Sequence, residues 1–153
     1  MPLSTLSPRP SIAENPKLAK ATHNLSTLLV AIEEKGCPES VESQINEIIT
    51  GVNNFHGPDP QLIKQMGLAQ TAILKLVKNE LGLVGKNHYQ LQWLALGMAT
   101  FGIPLGIVFG AALGNMAFLG IGLPIGIGVG LAIGSGKDKQ AEEQGKQLDW
   151  TAM

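Results

Sequence analysis

Eight glycines carry the most specific signal in this chain of 153 residues. They form two sets, Gly102, Gly106, Gly110, Gly114 and Gly122, Gly126, Gly130, Gly134, each with an interval of four. Regularly spaced glycine serves two kinds of chemistry. It cradles a phosphate, or it lets two backbones touch. A phosphate loop ends in Lys-Ser/Thr or opens a strand–helix unit, and neither context surrounds these glycines. Four residues at about 100° each return to within roughly 40° of the start, so each set marks one helix face without side chains. In lipid, such a face allows close approach, and van der Waals packing there drives helix association.

The groups that could do bond-making chemistry are sparse and scattered. His23, His56 and His88 lie far apart, with no HxxxH spacing and no paired carboxylate beside them. They read as surface or loop histidines. Cys37, the single cysteine, excludes an internal disulfide framework and a multi-cysteine zinc site. Flanked by Gly36 and Pro38, it reads as an inert loop residue. No catalytic constellation emerges, so neither an enzyme nor a metal or cofactor site is expected. The net charge of −1 removes the electrostatic argument for nucleic-acid binding.

The composition departs from that of a soluble domain in a localised way. Charged residues make up 15% of the chain, against about 25% in ordinary domains. The 50 residues between Lys86 and Lys137 carry no formal charge, and 12 of the 19 glycines fall from Gly97 to Gly136. Residues 1–86, by contrast, hold eight Lys/Arg and eight Asp/Glu. Four parts are therefore expected: a flexible segment 1–15, a soluble helical part 16–86, a membrane-inserting part 87–136 and a charged tail 137–153. The proline-rich start has no apolar run, which predicts synthesis in the cytoplasm without a signal peptide.

Elements follow from the periodicity. Leu18, Leu25, Leu28, Leu29 and Ile32 form a helical stripe between Pro16 and Gly36. Val41, Ile45, Ile48, Ile49, Val52 and Phe55 form a second, after Pro38. Asp59-Pro60 reads as an N-cap and first-turn proline, opening a third with Leu62, Met66, Ala69, Ile73, Leu76 and Val77 on its inner face. Short loops between three amphipathic helices predict an antiparallel bundle.

The apolar part is a duplication. Residues 102–114 (GIPLGIVFGAALG) and 122–134 (GLPIGIGVGLAIG) are identical at seven of 13 positions, and three others exchange Ile and Leu. Leu91–Leu113 and Met116–Ile133 supply 23 and 18 apolar residues, and about 20 cross a bilayer. Gly114-Asn115 between them predicts a helical hairpin with its charged flanks on one side and Tyr89, Gln90, Gln92 and Trp93 near an interface. Asn115 reads as the hairpin turn or as a polar ring at a pore mouth. Pro104 and Pro124 read either as mid-helix kinks that free the carbonyls of Thr100 and Gly120 or as first-turn prolines of shorter helices. Residues 120–136 also alternate large apolar with small residues, the period of a strand. A membrane β-hairpin is the alternative there, with Pro124 against it.

On the run GIPLGIVFGAALGNMAFLGIGLPIGIGVGLAIG, residues 102–134, the chain resembles bacterial glycine-zipper membrane proteins. In particular it looks like the small pore-forming glycine-zipper toxins delivered by type VI secretion. The resemblance implies secretion, insertion into a target cell's inner membrane, homo-oligomerisation and ion leakage that dissipates the membrane potential. It also implies a ring-shaped secretion-tube carrier and a cognate membrane immunity protein as partners, besides the lipid bilayer.

The expectation is thus an all-α protein: an antiparallel three-helix bundle followed by a two-helix glycine-zipper transmembrane hairpin. Its expected role is an antibacterial pore-forming effector. The alternative is a resident membrane scaffold or adaptor with a cytoplasmic partner-binding bundle. The glycine faces serve either reading, as contacts of an oligomeric pore or as the seam of one hairpin.

Overall fold

A computed structural model describes residues 2–115, 117 and 119–151. It is mostly helical and divides into two compact units. One unit runs to Gly85 and takes back the chain from Leu148 onward, and the other spans Lys86–Gln147.

The first unit holds α1 (Pro16–Lys35), α2 (Glu39–Asn53) and α3 (Asp59–Leu81). Each starts where the chain supplies a stop and a proline. Asn15 caps α1, its side chain accepting from the N–H groups of Lys17 (3.2 Å) and Leu18 (3.3 Å). Pro38 and Pro58 are the N-cap residues of α2 and α3. Asp59, expected as the N-cap of α3, is instead its first residue. Its carboxylate accepts from Ser11 Oγ (3.1 Å) and Asn15 Nδ2 (3.3 Å), so it joins α3 to the chain ahead of α1. Both α1 and α2 pack against α3. Leu18, Leu25, Leu28, Ile32, Ile45, Ile49, Ile73 and Val77 are fully buried in one shared core.

Two segments differ from the sequence expectation. Residues 2–15, expected to be flexible, are hydrogen-bonded to the rest of the first unit: 2–7 lie along α2, Arg9 donates to Gly57 O, and Ser11 and Asn15 bond Asp59. Asn46 Oδ1 accepts from Ser4 N (2.6 Å), and Asn53 accepts from Ser7 N and donates to Thr5 O (2.9 and 3.0 Å). Leu3, Leu6 and Ile12 pack on the core. Single apolar residues between prolines show no period, yet paired asparagines hold them in place. The tail 137–153, expected as a solvated flank, is divided. Leu148 and Trp150 are buried in the first unit, and Trp150 Nε1 donates to the Asn24 carbonyl (3.0 Å). The short strands β1 (Val84–Gly85) and β2 (Gln147–Leu148) pair and fix this return.

The second unit contains α4 (His88–Gly97), a π-turn at Met98–Gly102, α5 (Ile103–Ala112) and α6 (Leu119–Glu143). The helical stretches His88–Ala112 and Gly120–Glu143, of 25 and 24 residues, are long and apolar enough to cross a membrane. Within the strand-like 120–136 stretch the chain is α6, so its alternation does not make a strand. Every alternate small residue then falls on one of two opposite helix faces, and one of these is packed. The helix also continues past Gly136 through Lys137, Asp138 and Lys139. It ends where Gly145 adopts φ +68, with its N–H on Glu142 O (2.9 Å) and that of Lys146 on Ala141 O (2.8 Å).

Candidate functional site

The seam between α6 and the α4–α5 stretch is built of backbone. Gly97, Gly102, Gly106 and Gly110 on one side are buried, as are Gly122, Gly126, Gly130 and Gly134 on the other. At Gly97 and at the four glycines of α6 the spaces are too small for any side chain, whereas a Cβ at Gly102 would stand at ordinary contact distance, 3.5 Å from Gly122 O. A Cβ at Gly126 would lie 2.6 Å from both Gly97 O and Gly102 N, and one at Gly122 would lie 2.7 Å from Gly106 Cα. A Cβ at Gly130 would be 3.0 Å from Leu94 Cα, and one at Gly134 2.5 Å from Gln90 Cα. The partners descend from Gly106 to Gln90 as α6 ascends from Gly122 to Gly134, so the strands of the seam run antiparallel. Gly120, Gly128 and Gly136 lie on the far side of α6, where an added Cβ meets nothing within 4 Å.

Gly114 does not join this face. It has φ +66 with open space around it and stands two residues past the end of α5. Its N–H bonds Ala111 O (3.4 Å) and that of Asn115 bonds Gly110 O (3.1 Å), the paired arrangement by which a left-handed residue closes a helix. Asn115 Oδ1 accepts from Ala117 N (2.9 Å). Gly114 and Asn115 thus turn the chain out of α5. Met116, part of the expected second span, and Phe118 lie outside the described residues.

Gly97 is the seam residue that spacing alone misses, because it precedes Gly102 by five rather than four. Inside a regular helix five residues rotate the chain well off the face. The π-turn absorbs one residue, with Ile103 N–H reaching back to Met98 O. Gly97 and Gly102 then both oppose Gly126. The π-turn sits directly before Pro104, which occupies the first turn of α5. Proline there has no N–H for the Thr100 carbonyl, and Thr100 Oγ1 itself bonds Leu96 O (2.7 Å). Pro124, in contrast, lies inside α6. One proline therefore follows each of the two arrangements expected of them.

The polar end of the seam was also not singled out from sequence. Asp138 is four residues beyond Gly134, on the same face, and is 7% exposed. Its carboxylate accepts from the N–H groups of Tyr89 (3.0 Å) and Gln90 (2.9 Å). These open the first turn of α4, where Asn87 provides no side-chain cap. A carboxylate there satisfies two orphan donors and meets the positive end of the helix dipole. Beside it, Lys137 Nζ stands 5.7 Å from the centre of the Trp93 ring. An acid continuing the four-residue glycine series was the available signal.

The outer surface is apolar. Leu91, Phe101, Ile103, Ile107, Val108, Leu113, Ile121 and Leu123 are all exposed, and 22% of the most apolar window of each long helix is buried. His23 lies on α1, His56 follows α2 and His88 opens α4. Among the described residues no three His, Cys, Asp or Glu side chains gather to hold a metal ion. Cys37 is half-buried; burial first, and Glu42 second, push its thiol pKa up, away from a reactive thiolate. The class that emerges is a mostly helical protein with two helices suited to a bilayer. Compared with known proteins, the chain matches no family model, no curated protein and no solved structure.

Proposed function

We propose that this chain is an antibacterial pore-forming effector. Its second unit would insert as a glycine-zipper transmembrane hairpin in the inner membrane of a target cell and dissipate the membrane potential by ion leakage. The observation that carries the reading is the inverted polarity of that unit. Its seam glycines are buried, while many of its large aliphatic side chains are exposed along two helices of bilayer length. In water such a surface is a liability, while in lipid it is the expected outer face.

The remaining features fit this course. The end of the hairpin at Gly114-Asn115 carries no charge, so it enters hydrocarbon without the roughly 2.5–3.5 kcal/mol that a Lys or Arg demands at a helix centre. The first unit, read as an antiparallel three-helix bundle, stays on the entry side with Lys137 and Lys139. Conduction needs several copies, because two packed helices enclose no channel. A ring-shaped secretion-tube carrier would shield the apolar surface before delivery, and a membrane immunity protein would protect the producer.

A second reading has its own support. The paired glycine faces are occupied within one chain, which suits a resident membrane scaffold whose helical bundle binds a cytoplasmic partner. Liposomes loaded with dye or a potassium-sensitive probe separate the two. The effector reading expects leak that rises with protein concentration and falls in Gly106→Leu and Gly126→Leu. Absence of leak at every concentration would overturn the effector reading and favour the scaffold.

A further inference from the structure

In the first unit, α2 holds the N-terminal segment by a repeated contact. Asn46 and Asn53 are seven residues apart, close to two full turns, so both amides stand on one face of the helix. Each grips one unit of main chain. Asn46 Nδ2 donates to Pro2 O (3.3 Å) while its Oδ1 accepts from Ser4 N (2.6 Å). Asn53 does the same one step on, donating to Thr5 O (3.0 Å) and accepting from Ser7 N (2.9 Å). Each clip therefore encloses one residue, Leu3 or Leu6, and both leucines pack on the core. Arg9 completes the line by donating to the carbonyls of Gly57 (3.1 Å) and Phe55, beyond the end of α2.

The two sides match in spacing. Three residues of polyproline II chain rise about 9 Å, and seven residues of helix rise about 10.5 Å. Three residues also complete one turn of polyproline II, so successive clips meet the same edge of the chain. Pro2, Pro8 and Pro10 favour that conformation, and Arg9 is extended, at φ −106 and ψ 142. All four asparagine bonds go to main chain. They select an extended backbone rather than particular side chains, and the leucine sites add selectivity, as in other peptide grooves. Yet the segment does not fill the surface it covers. A cavity of about 110 Å³ remains beside it, bordered by Ser7 and Arg9 of the segment and by Leu18, Val52, Leu62 and Met66 of the helices. Leu3 and Leu6 are half-buried. A chain with a larger apolar residue at the place of Ser7 would bury more area on the same track.

We propose that this face of α2 is a binding track for an extended, proline-rich peptide of a partner protein, and that residues 2–9 are its built-in placeholder. The ligand is defined by its chemistry: a polyproline II backbone, leucine-type side chains three residues apart, and a bulkier apolar residue where the placeholder has Ser7. Binding exchanges one strap for another, so the clips and leucine sites are filled before and after. The inference concerns the first unit alone and stands whether or not the hairpin conducts.

The test uses the full chain in detergent micelles and a fluorescent synthetic peptide, PLSTLSPRPSI, the sequence of residues 2–12. The parent, whose track is filled, should bind it weakly. Leu3→Ser with Leu6→Ser loosens the strap and should bind it about tenfold tighter. Adding Asn46→Ala and Asn53→Ala to that background should lose about tenfold or more. A peptide carrying Ser7→Leu should bind roughly threefold tighter than the first, or better. Binding to the loosened chain that ignores the two asparagines overturns the proposal, as does a Ser7→Leu peptide that binds no better. A second measurement needs no loosened strap. With Cys37→Ser and a fluorophore on Thr5→Cys, excess Ser7→Leu peptide should free the segment and lower the anisotropy of the label. Unchanged anisotropy at the highest peptide concentration overturns displacement. Self-association of the parent that disappears with the two asparagines would make a second copy the occupant, and so would overturn the choice of partner.

Discussion

The two units are built from the same element and bury opposite residues. In the first, Leu25, Ile32, Ile45 and Ile73 are completely inside. In the second, Gly97, Gly102, Gly126 and Gly130 are inside, while Ile103, Ile107 and Val108 are 51%, 51% and 60% exposed. Removing apolar area from water contributes about 25 cal/mol per Å², and the first unit uses it throughout. The second leaves that term aside and relies on close backbone approach, which works where the surroundings are already apolar. Helix content is therefore uninformative about solvent. What distinguishes the units is which residue type occupies the seam.

The contrast breaks most severely at Gly126. Replacement by Leu must accommodate atoms where the Gly97 carbonyl and the Gly102 amide stand at 2.6 Å, and overpacking of this kind costs about 3 kcal/mol or more. The paired hairpin should fall roughly a hundredfold in population, read as lost amide protection across α4 and α6 in micelles. Full protection in Gly126→Leu would remove the seam from the account. In the first unit the opposite change matters. Ile45→Ala should lower stability by about 2–5 kcal/mol, measured as an earlier urea midpoint for that unit, whereas a change below about 0.5 kcal/mol would mean that the core is not packed around it.

Smaller effects sharpen the same comparison. Asn15→Ala removes the acceptor for Lys17 N and Leu18 N and should cost about 1 kcal/mol, confined to the urea transition of the first unit. Cys37 should alkylate more slowly in the folded protein than in urea at pH 8, because its raised pKa keeps it as the thiol. Raising the pH through the folded value should close that gap, and equal rates at pH 8 would contradict the assignment. The smallest change is expected of Gly128→Leu, on the open side of α6. Hairpin protection should stay within about 0.5 kcal/mol of the parent, and a loss as large as that of Gly126→Leu would show that the far face is also packed.

Much of this was legible in the sequence for physical reasons. The stripes through Leu18–Ile32, Val41–Val52 and Leu62–Val77 locate the three helices because burial on one side imposes a period near 3.6. The glycines from Gly102 to Gly110 and from Gly122 to Gly134 locate the seam because only a residue without a side chain permits such contact. Gly114 shares their spacing but turns the chain, since periodicity cannot tell the last residue of a face from the first beyond the helix. Gly97 was hidden by the π-turn, which shifts phase without leaving a mark on spacing.

The evenly spaced glycine in an uncharged window thus carries two kinds of information. The sequence by itself determined that two apolar helices would present side-chain-free faces, because composition and interval act locally. Tertiary structure alone decided what those faces meet. It set Gly126 against Gly97 and Gly102, brought Asp138 to the first turn of α4, and returned Leu148 and Trp150 to the first core. These pairings join residues far apart in the chain, and a local interval does not say which residues will meet.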